Sequence, residues 1–206
     1  LGAHFAGMEA LCPKTTWTGF PDVFSQRWAR HCDGVARRVC APNKSNPWLV
    51  GYFLDNELEW YGKDYRPDGL FTETWKLAKD RPGKLAWIDF LQKEFRDIAA
   101  FNSAYGTSFA DYAAVASDTK PRAAVTTSGM DCGKKWVRHV AEAYFKTCAE
   151  AIRRQDPNHL ILGCRFAGQA PDIWDIAGKY CDVVSFNIYP RIDVERGVPE
   201  SVLKQV

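Results

Sequence analysis

An amide and a carboxyl group follow at once after an apolar segment in the stretch GYFLDNELEW, at 51–60. The pair is Asn56 and Glu57. A carboxyl group at the end of a buried strand has little water around it and other carboxylates nearby, and both effects favour its protonated form. A protonated Glu57 can give its proton to the leaving oxygen of a glycosidic bond, a reaction carried out between two carboxyl groups.

The neighbours of Glu57 have types that suit the binding of a sugar. Asn56 can orient a hydroxyl group without adding charge, and we expect Trp60 to stack on the apolar face of a pyranose. Asp55 and Glu59 are expected to be supporting or solvated residues. A plain alternative stays open, because Asp-Asn-Glu after a strand is often a solvated turn, and Glu57 can also cap a helix.

Three further polar residues end two other apolar segments. Arg165 follows the first of these segments, and Asn187 and Tyr189 end the second. Taken singly, each has an ordinary explanation as an ion-pair, strand-end or packing residue. Because the carboxyl ends of parallel strands meet on one rim in α/β folds, we expect all three to lie near Glu57 and to contact a sugar or support the carboxylates.

The apolar pattern predicts helices that alternate with strands. In chain order we expect a helix capped by Ser25, a strand at 48–54, a helix through 87–98, a helix through 136–152, a strand at 159–166, a short helix at 172–179 and a strand at 181–189. Residues 1–21 and 61–83 are predicted to be irregular, and 101–135 to mix short helices with turns. This order predicts an α/β fold with parallel strands and right-handed crossovers.

Composition excludes several classes of function. The net charge is +2, from 27 basic and 25 acidic residues without a basic run, so no nucleic-acid partner is expected. No apolar run approaches the ~20 residues of a membrane span. The seven cysteines form no C-x-x-C pair, so we expect no zinc and predict mostly buried free thiols, with a Cys12–Cys132 disulfide as the lesser alternative. No dinucleotide, P-loop, G-x-S-x-G or H-E-x-x-H motif occurs, and no cofactor is expected.

Several segments resemble one group of enzymes. WLVGYFLDNELEW, at 48–60, resembles the fourth barrel strand of clan A glycoside hydrolases, and Asn56-Glu57 match the pair that holds their general acid/base. HLILGCRFAG at 159–168 and DVVSFNIYP at 182–190 resemble the fifth and sixth strands. The sequences of these three segments are most similar to those of the β-agarases of family 50. The segment FNSAYGTSFADY at 101–112 also resembles the family 42 β-galactosidases.

The resemblance implies a fold and an activity. Residues 1–206 would form part of a (β/α)₈ TIM barrel, roughly strands 4 to 6 with a helical insertion after strand 4, and with the early strands and strands 7 and 8 missing. It implies a retaining hydrolase of β-linked galactose in an agarose-like polysaccharide, with Glu57 as general acid/base. The nucleophilic Glu belongs to the seventh strand and is expected outside this chain, so the isolated chain should be inactive. Tyr189 is expected to contact that nucleophile.

Other functions stay open from the sequence. The same residues would serve a β-galactosidase-like enzyme acting on smaller galactosides, or a carbohydrate-binding barrel without catalysis. A metal enzyme using Asp55, Glu57 and Glu59 is less favoured, because neighbouring residues on a strand point to opposite faces. An oligo- or polysaccharide partner is expected in each sugar-related case, and a polysaccharide-degrading enzyme would be secreted or periplasmic. The oligomeric state is not indicated.

Overall fold

A computed structural model of the protein describes residues 2–3, 9–13, 19–167 and 172–189, together with Glu200 and Lys204. In chain order the elements are β1 (Gly2–Ala3), β2 (Ala10–Cys12), β3 (Phe20–Pro21), α1 (Gln26–Val39), a 3₁₀ turn (Ala41–Asn43), β4 (Gly51–Leu54), α2 (Gly69–Trp75), α3 (Pro82–Glu94), α4 (Ile98–Tyr105), α5 (Tyr112–Ser117), α6 (Thr127–Gln155), β5 (Leu160–Ile161), β6 (Phe166–Ala167), α7 (Trp174–Tyr180) and β7 (Phe186–Asn187). The fold is mixed α/β, as the sequence predicts.

The strands that matter for the candidate site are parallel. β1, β4 and β5 form one sheet in that order, and β6 and β7 form a second parallel pair. Backbone hydrogen bonds extend these pairings, since Leu54 N donates to Gly163 O at 2.8 Å and Val183 N donates to Ile161 O at 3.1 Å. The carboxyl ends of β4, β6 and β7 therefore lie on the same side of the molecule.

Two long helices, α1 and α6, supply much of the buried core. Helix α1 begins at Ser25, whose hydroxyl accepts a hydrogen bond from Arg27 N at 3.2 Å, so the predicted cap is confirmed. Helix α6 extends over 29 residues between its caps at Thr126 and Asp156, so it contains the helix expected through 136–152 and also begins earlier, within the range expected to mix short helices with turns. The two helices pack against each other through their apolar faces. None of the helices in the described ranges combines the length and apolar character needed to cross a membrane.

Several predicted boundaries are wrong. The helix expected through 87–98 is two helices, because Phe95 is extended and the Asp97 carboxylate caps a new helix by accepting a hydrogen bond from Ala100 N at 2.9 Å. Helix α2 lies within 61–83, and β1 to β3 lie within 1–21, two ranges that were expected to be irregular. The strand expected from residue 48 begins only at Gly51. The side chain of Trp48 is 91% exposed there, so its apolar character does not reflect a buried strand.

All seven cysteines are free and buried. Cys12 and Cys132 are not bonded to each other, so the alternative of a disulfide between them is not realised. Burial raises the pKa of both thiols to about 12, which keeps them protonated and unreactive near neutral pH. The prediction that most cysteines serve as small apolar core residues is confirmed.

Candidate active site

The turn that follows β4 has a strained backbone. Asp55 and Glu57 have φ values of +46° and +51°, and Arg165, in the segment that joins β5 to β6, has a φ of +48°. This left-handed conformation costs an L-residue roughly 1–2 kcal/mol. Such residues persist only where the surrounding structure holds them, and they concentrate at functional sites. The sequence does not predict this strain, because glycine is the residue expected at a positive φ and none of the three residues is glycine.

The carboxylate of Glu57 is held by two residues at the carboxyl end of β7, which belongs to the second parallel pair. Its Oε1 atom accepts hydrogen bonds from Asn187 Nδ2 at 2.6 Å and from Tyr189 Oη at 3.1 Å. The hydrogen bond to Glu57 and the charge of that carboxylate raise the pKa of Tyr189, so the phenol keeps the proton that it donates. Three of the residues singled out in the sequence therefore meet at one point. The contact of Tyr189 is with Glu57, whereas the resemblance led us to expect a contact with the nucleophile.

Asp55, in the same turn, is fixed by a contact with helix α6. Its side chain is 2% exposed, and its Oδ2 atom accepts a hydrogen bond from Tyr144 Oη at 2.9 Å. Burial, followed by the charge of Asp55, raises the pKa of Tyr144 well above its usual value, so this hydroxyl acts as a donor. Sequence reasoning missed Tyr144 because its position on the apolar face of α6 gives no sign of the hydroxyl's partner.

Arg165 supports the turn from the segment that joins β5 to β6. Its Nη2 atom donates to the backbone oxygen of Asp55 at 3.2 Å, and its guanidinium carbon lies 4.8 Å from the centre of the Phe53 ring. Its own backbone N–H donates to Ser185 Oγ at 3.0 Å. Arg165 thus contacts the last residues of β4 and the start of the turn that carries Glu57. A charge stacked on an aromatic face has a defined orientation, which suits a positioning role.

Trp60 does not reach the rim, and the prediction that its ring stacks on a sugar is wrong. The residue is 3% exposed, and its ring stacks on Phe145 at 5.7 Å and meets the edge of Phe20 at 4.7 Å. The chain turns inward after Glu57 and places this indole in the core against α6. Asn56 is partly buried between two strained residues, and its role as a sugar ligand stays a prediction.

The arrangement suits proton transfer to a bound oxygen. The Glu57 carboxyl group stands on the carboxyl side of a parallel sheet and is oriented by two donors. In the same turn, Arg165 holds the backbone oxygen of Asp55 and Tyr144 holds its carboxylate. Within the described part of the chain, no three His, Cys, Asp or Glu side chains converge as a metal site requires. The chemistry that this geometry supports is acid and base catalysis by a carboxyl group.

Comparison with known families gives a consistent result. Residues 22–204 match the model of glycoside hydrolase family 42, described as β-galactosidase. The chain is 33% identical over 187 residues to β-agarase A of Vibrio sp. (strain JT0107), covering 84% of this chain and 18% of the agarase. The chain spans less than a fifth of the length of the curated relatives it matches.

Solved structures agree with the sequence relatives. An exo-β-agarase superimposes with a TM-score of 0.81 at 29% identity, covering 90% of this chain and 27% of that chain. A β-galactosidase from Marinomonas ef1 superimposes with a TM-score of 0.56 at 15% identity, covering 83% of this chain and 25% of that chain. The second likeness concerns the fold alone. Both indicate that the described elements adopt an arrangement found in glycoside hydrolase catalytic domains.

Proposed function

The chain belongs to glycoside hydrolase family 42, and we propose that it supplies the general acid/base, Glu57, of a retaining hydrolase that acts on β-linked galactose. One observation carries this proposal. Glu57 stands on a strained turn at the carboxyl end of β4, and Asn187 and Tyr189 both donate to one of its oxygens. A solvated turn, the plain alternative, needs neither a strained backbone nor two donors from another strand.

In the first step, Glu57 gives its proton to the glycosidic oxygen as the bond between that oxygen and the anomeric carbon breaks. A second carboxylate attacks the anomeric carbon and forms a glycosyl-enzyme intermediate. Glu57, now a carboxylate, takes a proton from water, whose oxygen displaces the second carboxylate and completes hydrolysis. We propose that this nucleophile lies outside these 206 residues, since the chain spans 18% of β-agarase A.

The residues around Glu57 take supporting roles in this mechanism. Asn187 and Tyr189 fix the orientation of the carboxyl group, so that its proton is aimed at one place. Arg165 holds the backbone of the turn through the oxygen of Asp55. Asn56 binds the 2-hydroxyl of the sugar at the cleaved bond. These assignments extend the requirement that catalytic groups be held in place by their neighbours.

We propose that the described strands belong to a (β/α)₈ barrel. The parallel order of β4, β5 and β7 along the chain, with helices between them, supports their assignment as strands 4, 5 and 6. In that arrangement, β6 continues strand 5 after an irregular segment, and α2 to α5 form an insertion after strand 4. Residues 1–206 would then be one part of a single catalytic domain.

The proposed substrate is a β-linked galactose polysaccharide of the agarose type. The relatives that are 33% and 29% identical to this chain are agarases, which supports this choice. A second candidate is the cleavage of smaller β-galactosides, which the description of the matching family favours. A barrel that binds such sugars without cleaving them is the third reading. Hydrolysis rates on agarose, on galactosyl oligosaccharides and on nitrophenyl galactosides separate the three.

The test replaces Glu57 with Gln in the longest natural chain that contains these residues. Loss of general acid/base catalysis should lower the rate on an unactivated galactoside by roughly 10²–10⁴-fold. A nitrophenyl galactoside needs less help from an acid, so its rate should fall less. Azide needs no general base, and it should therefore restore turnover and yield a β-galactosyl azide.

Glu59→Gln is the matched control, because Glu59 lies two residues away and is buried. We expect this variant to keep most of its activity on both substrates. Near wild-type activity of Glu57→Gln on the unactivated substrate would rule out the assignment. Turnover by the isolated 206-residue chain would show that no second carboxylate from elsewhere is needed.

A further inference from the structure

A buried tyrosine and a buried carboxylate meet inside the turn that carries Glu57. Tyr144 is fully buried and Asp55 is 2% exposed, and Tyr144 Oη donates to Asp55 Oδ2 at 2.9 Å. A buried carboxylate costs free energy that an apolar side chain in the same place would not cost, so stability alone is a weak explanation for the pair. Neither side chain can reach a substrate from this depth. Any part that they have in a reaction must therefore act through their neighbours.

The Tyr144 ring is fixed by other aromatic rings of the core. Tyr144 belongs to helix α6, and its ring stacks on Trp28 of α1 at 6.1 Å and meets Trp60 edge-on at 5.6 Å. Because side chains in a close-packed core leave little free space, the hydroxyl group at the end of this ring has one position. The hydrogen bond from that hydroxyl group therefore ties Asp55 to a fixed point of the core.

The left-handed backbone of the turn begins at Asp55. Its φ is +46°, and its backbone oxygen accepts a hydrogen bond from Arg165 Nη2 at 3.2 Å, so both its side chain and its carbonyl group are held. Two residues later, Glu57 has a φ of +51°, and its Oε1 atom accepts a hydrogen bond from Asn187 Nδ2 at 2.6 Å. An L-residue stays in the left-handed region only where its surroundings hold it there. Release of the Asp55 side chain should therefore change the direction in which Glu57 leaves the turn.

We propose that Tyr144 and Asp55 are positioning residues for the hydrolysis, and that the hydrogen bond between them keeps the turn in the conformation that aims Glu57 at the glycosidic oxygen. This inference rests on the proposed function of Glu57. Misplacement of a catalytic group by about 1 Å can lower a rate by about 10²-fold, even when the altered residue is far from the reacting atoms. A single hydroxyl group of α6 thus controls the rate from inside the core.

The experiment removes that hydroxyl group and keeps the ring. In the longest natural chain that contains these residues, Tyr144→Phe should lower kcat on a long galactan oligosaccharide by about 10- to 100-fold and leave KM within about twofold, because no contact with the substrate is lost. Azide should restore part of the turnover of a nitrophenyl galactoside, since the displaced Glu57 no longer serves as general base. A role in folding alone would change neither kcat nor the response to azide.

Tyr52→Phe is the matched control. Tyr52 is also fully buried, and its Oη atom donates to the Asp156 carboxylate at 2.6 Å, at the amino end of the sheet. We expect the two variants to lose similar stability in urea denaturation, because each leaves a buried carboxylate without one donor. Tyr52→Phe should nevertheless keep kcat within about twofold of wild type. An equally small change of kcat in Tyr144→Phe would overturn the inference, as would an equal loss of kcat in both variants.

Two substitutions of Asp55 decide the question if Tyr144→Phe does not fold. Asp55→Asn keeps an oxygen that can accept the hydrogen bond from Tyr144, and it should keep kcat within about threefold of wild type. Asp55→Ala has no acceptor there and should lose as much activity as is expected of Tyr144→Phe. Equal kcat values for the two Asp55 variants would overturn the inference.

A crystal structure of Tyr144→Phe separates this inference from the proposed function. We expect Glu57 Oε1 to have moved out of hydrogen-bonding distance of Asn187 Nδ2. An unchanged contact, with the φ of Glu57 still left-handed, would overturn the positioning role even if Glu57 is the general acid/base. A displaced Glu57 in this structure, together with near wild-type activity of Glu57→Gln, would overturn the proposed function alone, since the turn would still depend on Tyr144.

Discussion

At the amino end of the sheet, Asp156 is fully buried and accepts four hydrogen bonds, whereas Glu57 at the carboxyl end is partly buried and strained. Tyr52 Oη donates to Asp156 Oδ2 at 2.6 Å, and the ring of His159 contacts the same oxygen at 2.7 Å. Backbone N–H groups of Asn158 and His159 donate to the other oxygen. The carboxylate of Asp156 therefore has all its hydrogen bonds within the fold, whereas the carboxylate of Glu57 is carried by a residue with a strained backbone.

The electrostatics of the amino end agree with a structural role. Burial by itself would raise the pKa of Asp156, but the hydrogen bonds from Tyr52, Asn158 and His159 together lower it. Both ring nitrogens of His159 face acceptors, namely Asp156 Oδ2 and Asn46 O, which favours the doubly protonated ring. Hydrogen bonds to Asn46 O and Asp156 raise its pKa accordingly. The comparison favours a structural role for the amino end, and the carboxyl end carries the site for which we propose a catalytic role.

The largest expected effect is on the stability of the amino end. Asp156→Ala would leave Tyr52, His159 and two backbone N–H groups without their acceptor in a buried place. We expect the free energy of unfolding to fall by about 3–5 kcal/mol, measured by urea denaturation. The control is Asp33→Ala, which breaks an exposed ion pair with Arg154 and should cost at most ~1 kcal/mol. Similar losses for both variants would remove the distinction between a buried network and a surface pair.

The second prediction concerns the strained backbone of Glu57 itself. Because its φ is +51°, Glu57→Gly should be more stable than Glu57→Ala by about 1 kcal/mol, although both lack the carboxyl group. Glu150, an exposed residue of helix α6, provides the opposite case. There, Glu150→Gly should be less stable than Glu150→Ala by about 1 kcal/mol. If the two pairs shifted in the same direction, the turn would not be strained.

The smallest expected effect is the pH dependence of the amino end. The folded-state pKa of His159 lies above its ordinary value of 6.5, so its stabilising contribution is complete below about pH 6.5 and is lost as the pH rises through the folded-state pKa. The stability difference between wild type and His159→Gln should therefore shrink between pH 6 and pH 9. A difference that grows over this range would mean that the ring is neutral in the folded protein.

Much of the site could be predicted from the sequence. Glu57, Asn187 and Tyr189 meet because each follows or ends a parallel strand and the carboxyl ends of these strands lie on the same side of the molecule. Strand ends of this kind can be located from apolar runs. The prediction that failed concerns the direction in which one side chain points. Trp60 is an aromatic residue near an acidic turn whether its ring faces a ligand or the core, and only the inward path of the chain decides this.

The features that escaped prediction share a cause. Glu57, whose φ is left-handed, is held by Asn187 and Tyr189, which are distant in sequence, and no local pattern signals its conformation. Likewise, the hydroxyl of Tyr144 donates a hydrogen bond to Asp55, which lies 89 positions away in the sequence. Residues that look apolar along a helix can thus hold a site in place through a single polar atom.

The most direct test of the central claim is a crystal structure of the Glu57→Gln variant, in its longest natural chain, with an uncleaved galactan oligosaccharide bound. We predict that the side chain at position 57 lies about 2.6–3.2 Å from the oxygen of the bond to be cleaved. A second carboxylate should stand about 5–5.5 Å from it, on the other side of the anomeric carbon. An oligosaccharide whose glycosidic oxygens all lie beyond the reach of residue 57 would contradict the assignment of Glu57 as general acid/base.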